Sequence, residues 1–234
     1  MNNKLVTLAP LIGLSFLLTS PLLLADSENI SKVNGSIRVD SGRQVGSVET
    51  VNGSIRLEDS VQARNVETVS GSIDIGSNAS VGSVETVNGD IKLASNSKAD
   101  SLETVNGGLR IQDQVQIRGN ATSVNGDIKL GKGAQVGGAL ENVNGDIELD
   151  SARVGRGITT TNGDIDIGAG SQVDGGIVVE KTSYSFFSNK RKPKVTIGPD
   201  AVVNGTLHFK REVELHVSER AKVGKIVGAT AIRE

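Results

Sequence analysis

The sequence predicts an all-β protein, a single three-sided parallel β-solenoid of about 18 residues per coil, with the hand of the coil left open. Three observations carry that expectation. The phrase VNGSIRV begins at Val33 and returns, with small changes, at Val51, Val69, Val87, Val105, Val124, Val143 and Thr161. A fixed repeat of this length is the signature of stacked coils. Inside it sits a finer period: Val33, Val39, Val45, Val51, Leu57, Ala63, Val69, Ile75 and Val81 fall six apart. Three sixes make one turn, so each six supplies one short strand and one corner. Finally, aromatic residues are 2% of the chain and Trp is absent, so a core must be thin and aliphatic.

The elements follow in chain order. Residues 1–25 read as a signal peptide, with Lys4 as the positive n-region, Leu5 to Leu24 mostly apolar, and Ala25 as the cleavage position. The expectation is an exported protein, periplasmic or cell-envelope associated. Residues 26–32 are an N-terminal linker or cap, and 33–179 are solenoid repeats. In Val87-Asn88-Gly89-Asp90-Ile91-Lys92-Leu93, Ile91 and Leu93 share the inner side and Lys92 opposes them, as period two requires. The Asn-Gly pair is read as a corner, with glycine supplying a positive φ. Asn34, Asn52, Asn88, Asn106, Asn125, Asn144 and Asn162 should then stack as a ladder of amides, interrupted by Ser70.

The face before that corner is harder. In Val84-Glu85-Thr86-Val87, strict alternation puts Glu85 on the same side as Val87. Burying an unpaired carboxylate is costly, so a local bulge is expected here, turning Val84 in and Glu85 out. The same expectation covers Glu49, Glu67 and Glu103. One-residue insertions between Ile117 and Val124, and between Val136 and Val143, belong at corners, where they do not invert a strand.

Residues 180–196 break the pattern. Tyr184, Phe186 and Phe187 lie beside Lys190, Arg191, Lys192 and Lys194. Ile197 stands one full repeat after Val179, so the segment reads as a loop replacing two faces of one coil. These seven residues are the candidate contact for an anionic envelope surface, polysaccharide or acidic partner protein. Residues 197–234 return to the six-residue period as terminal coils and cap, with Val203 to Phe209 repeating the motif.

Charge is divided unevenly. Residues 26–179 carry 13 Lys+Arg against 21 Asp+Glu, a balance of −8, whereas 180–234 carry 11 against 6, a balance of +5. An acidic body with a basic end favours end-to-body attraction or an acidic partner, and it disfavours nucleic acid along the body.

ETVNGDIKL at 85–93 and TTTNGDIDIG at 160–168 resemble the bacterial β-strand-repeat proteins of uncharacterised function. VTIGPDAVVNGTLHF at 195–209 is similar to the bactofilins, which are polymer-forming β-solenoids. The resemblance implies a β-solenoid with self-association within reach. Val81-Gly82 and Val136-Gly137 also match the start of the hexapeptide of left-handed β-helix acyltransferases.

No residue is read as catalytic, and no cofactor or metal is expected. His208 and His216 alternate with apolar neighbours and should face outward. Asp90, Asp127, Asp146 and Asp164 exchange with Ser36, Ser54 and Ser72, which fits residues bonding their own turn rather than a calcium or glycosidase site. Thr50, Thr68, Thr86 and Thr104 form one column and read as sheet stabilisers. The leading function is a non-enzymatic structural or scaffold protein. The alternative is a binding module working through 184–194.

Overall fold

A computed structural model describes residues 28–181 and 191–234. Residues 1–25, read above as a signal peptide, and Tyr184, Phe186, Phe187 and Lys190 lie outside these described residues. The described chain is a parallel β-solenoid with no helix. Each coil has three faces. The first face is an 11-stranded sheet running from Ile37–Val39 to Ala231–Arg233. The second and third faces are continuous in one 18-stranded sheet. In two coils they form single nine-residue strands, Gln62–Ser70 and Ser80–Asn88. The strands pair in parallel and in register, for example Ile73↔Ile91 and Ile75↔Leu93.

The first face follows the period-two reading. Ile91 and Leu93 are fully buried while Lys92 is exposed, and Ile55–Leu57, Leu109–Ile111 and Ile147–Leu149 repeat the pattern. With Val48, Val66, Val84 and Leu102 from the third face and Val81, Ala99 and Ile117 from the second, they form one continuous core. Each coil alone buries few side chains, so stability is shared between neighbouring coils.

The third face corrects the expected bulge. Val84 is buried and Glu85 is half-exposed, but the strand stays regular: Thr86 turns inward and Val87 outward. The register Val48↔Val66, Glu49↔Glu67, Thr50↔Thr68 shows no extra residue. Thus every third member of the six-residue series faces away from the core: Val51, Val69, Val87 and Val105 are half-buried, and Val33 is 59% exposed. The physical reason is a hydrogen bond. Thr68, Thr86 and Thr104 donate Oγ1 to the carbonyls of Gly53, Gly71 and Gly89 in the coil below, at 2.9–3.0 Å. Among the described residues no backbone amide reaches those carbonyls. A buried hydroxyl that satisfies an otherwise unbonded carbonyl is preferred there over a methyl group.

The corner reading is also corrected. The ladder asparagines end extended strands, and only some Asn-Gly glycines take a left-handed φ, such as Gly35 at 106° and Gly145 at 138°. The left-handed corner lies instead between the first and second faces, at Ser60, Asn78, Asn96, Gln114, Ser151 and Asp200. At the Asn-Gly corner glycine answers a different need. A Cβ on Gly89 would collide with the Gly71 carbonyl of the previous coil. The Ser/Asp column bonds the next coil rather than its own turn: the amides of Asp146 and Asp164 donate to Asp127 and Asp146 Oδ1 at 2.9 Å.

The segment after Val179 replaces no face. Gly176–Val179 belongs to the third face and Lys194–Ile197 to the first, so the strands on either side are successive faces of one coil. Val179 pairs with Phe209, well over one repeat further on, and Ile167 pairs with Ile197. The one-repeat spacing from Val179 to Ile197 joins two different faces and is a coincidence of counting. For the same reason Leu207–Phe209 lies on the third face, unlike the motif it imitates.

Candidate functional surface

The outward side of the third face carries three parallel columns. Glu49, Glu67, Glu85, Glu103 and Glu141 form the first, with Thr122 filling one rung. Val51, Val69, Val87, Val105, Val124 and Val143 form the second. The corner asparagines form the third. Adjacent rungs are about 4.8 Å apart, so like charges in the first column repel. None of the five carboxylates makes an ion pair among the described residues. Partial burial, then the like charges of Glu85 and Glu49, raise the Glu67 carboxyl above its usual range. Glu103 is raised by burial and by Glu85 and Glu141.

The asparagine ladder is continuous from Asn88 to Asn162. Asn106, Asn125, Asn144 and Asn162 each donate Nδ2 to Oδ1 of the asparagine below at 2.9–3.0 Å. Asn52 does the same to Asn34 at 3.0 Å, and Ser70 separates the two runs. Arg211 terminates the ladder, donating to Asn162 Oδ1 at 2.7 Å and to the Thr161 carbonyl at 3.1 Å.

The two insertions have a structural consequence that the sequence alone did not show. From Arg118 onward the bend between the second and third faces holds one more residue: Ile117 pairs with Ala99 across one plain repeat, whereas Ala121 pairs with Leu102 across a repeat plus one. The widened bend leaves a groove of about 820 Å³ beside the third face. Glu103, Thr122, Glu141, Arg118 and Arg156 line it, together with Gly119, Gly137 and Gly138. Glycine is required at 138, because a Cβ there would strike the Gly119 backbone. Arg118 is paired with Asp100.

Of the candidate contact residues, the structure describes Arg191, Lys192 and Lys194. Arg191 pairs with Asp164, and Lys192 with Glu212 at 3.0 Å. The Lys194 amide donates to Asp164 Oδ1 at 2.9 Å. The first two cations therefore fasten the base of the insertion to the rod. The threonine column points into the core and offers no hydroxyl array to solvent. His208 is exposed, and His216 is clamped between Glu214 and Glu234 at 2.6 and 2.5 Å, which raises its pKa. Among the described residues no group of three or more His, Asp or Glu side chains is placed to hold a metal ion.

Comparison with models of protein families, with curated proteins and with solved structures finds no match. The likeness to β-strand-repeat proteins and bactofilins thus rests on the sequence phrases at 85–93, 160–168 and 195–209, and the β-solenoid itself rests on the structure.

Proposed function

We propose that this protein is a non-enzymatic, exported structural element of a bacterial cell envelope, a rod that presents repeated side-chain columns along its length. One observation carries the reading. The outward groups of the third face recur rung after rung as Glu, Val and Asn. Catalysis needs different groups converging on one reacting atom, whereas a column of identical groups makes an extended surface. The leader at 1–25 supports export. The test is expression of the tagged full chain in a Gram-negative host, followed by fractionation and intact-mass measurement. The expected product begins at Asp26 and partitions with the periplasm or envelope. An uncleaved chain in the cytosol would overturn the proposal.

A second reading has its own support. The strands before and after the segment 180–193 keep their pairing with neighbouring coils. Insertions of this kind vary without disturbing the stack and often carry recognition. Under this reading residues 184–194 dock on an anionic envelope surface. Replacing Lys190, Arg191, Lys192 and Lys194 with Ala should then weaken co-sedimentation with anionic vesicles and reduce its salt dependence while the coil stays folded. Unchanged sedimentation would remove the docking role.

A further inference from the structure

We infer that the third face of one copy is the docking surface for the C-terminal cap of a second copy. The inference rests on the scaffold reading and names its partner. Two features of the same chain complement each other. The third face carries five carboxylates without ion pairs beside a half-buried valine column, and no described element covers either. The cap carries the opposite set. Lys222 and Lys225 are exposed and make no ion pair among the described residues, and Arg233, on the last first-face strand, is exposed too. Ile232 is 49% exposed, and Ile226 and Val227 are half-buried on the last rung.

Several cations of the rod have acidic partners of their own. Arg38, Arg43, Arg56, Arg118, Lys129 and Arg153 are each paired with an acidic side chain. One column of the third face thus holds acids without cations, and the cap holds lysines without acids. The balance of −8 in the body against +5 beyond residue 179 states the same separation at the level of the chain. Apposing the two surfaces relieves repulsion in the glutamate column and removes valine and isoleucine surface from water. The contact joins two different patches, so it is heterologous and does not close on itself. Successive copies extend into chains or a network, as a scaffold requires.

The experiment uses the mature chain, residues 26–234, in sedimentation velocity over a range of concentration and salt. Three variants accompany it: Glu67→Gln/Glu85→Gln/Glu103→Gln, Lys222→Glu/Lys225→Glu, and Glu67→Lys/Glu85→Lys/Glu103→Lys. Circular dichroism and thermal melts confirm that each is folded. The expected result is wild-type self-association that weakens with salt. The glutamine and cap variants should each weaken it about tenfold or more. The two charge-reversed variants, each monomeric alone, should associate when mixed. A monomeric wild type overturns the inference. So does association unchanged by the variants, which indicates strand-edge stacking end to end, or failure of the reversed pair to associate. A monomer that still fractionates with the envelope removes self-docking and leaves the scaffold reading in place.

Discussion

The first and third faces are both short parallel strands that alternate in and out, and they obey different rules. On the first face apolar side chains point in and charged ones out, as in Ile91-Lys92-Leu93. On the third face a threonine points in and a valine out, as in Thr86-Val87. The two side chains are close in size and both β-branched, so packing alone barely separates them. What separates them is the carbonyl of the Asn-Gly corner below. Thr86 Oγ1 reaches the Gly71 oxygen at 2.9 Å, and valine cannot. At Thr68, Thr86 and Thr104 the inward hydroxyl takes a carbonyl that the corner leaves over, whereas further along the column Thr160 is buried without such a bond and Val179 takes the same inward position.

The largest expected effect breaks the first face. Ile91→Asp places an unpaired charge where the wild-type side chain is fully buried, and should cost about 3–5 kcal/mol in denaturant melts. Lys92→Ala, one residue on and outward, should stay within about 0.5 kcal/mol. Equal effects would mean that this face does not alternate.

A smaller effect sharpens the contrast on the third face. Thr86→Val keeps shape but leaves the Gly71 carbonyl without a donor, a loss of about 1–3 kcal/mol. Val87→Thr, at a half-buried outward position, should change stability by less than about 0.5 kcal/mol. The hydrophobic pattern alone predicts the reverse order, with the valine change the costlier.

The rung spacing was legible because the corner residues recur at a nearly constant interval. Asn106, Asn125 and Asn144 align from the sequence alone. The facing of Thr86 and Val87 does not follow from it, because the deciding carbonyl belongs to Gly71, in another coil. The left-handed corner was hidden because Ser60, Asn78, Gln114 and Asp200 share no side-chain type, only a backbone conformation. The insertion misled because residue counting cannot tell a rung from a corner. The coil that contains it runs from Val179 all the way to Phe209, far longer than its neighbours. The groove beside Arg118 follows from one added residue, whose position the spacing revealed but whose consequence depends on the bend it widens.

The smallest effect lies in the outward glutamate column. Burial and its like-charged neighbours raise the folded-state pKa of Glu67 above 4.5. A raised carboxyl contributes stability that is present below 4.5 and lost as pH rises through the folded value. Glu67→Gln removes that loss. Near neutral pH the variant should be slightly more stable than wild type, with a shallower fall in stability between mild acid and neutrality. Urea midpoints for both proteins across that range would show it, and a steeper fall in the variant would contradict it. The effect is small because the side chain is half-exposed and solvent screens its neighbours.

The central claim is the inversion on the third face, threonine in and valine out. The chain has no cysteine, so a single introduced thiol reports its own accessibility without background. Thr86→Cys and Val87→Cys, each treated with a soluble thiol reagent in the folded state and in denaturant, give the most direct measurement. The structure predicts rapid labelling of Val87→Cys in the folded protein and labelling of Thr86→Cys only on unfolding. Fast labelling at position 86 with protection at position 87 would contradict it.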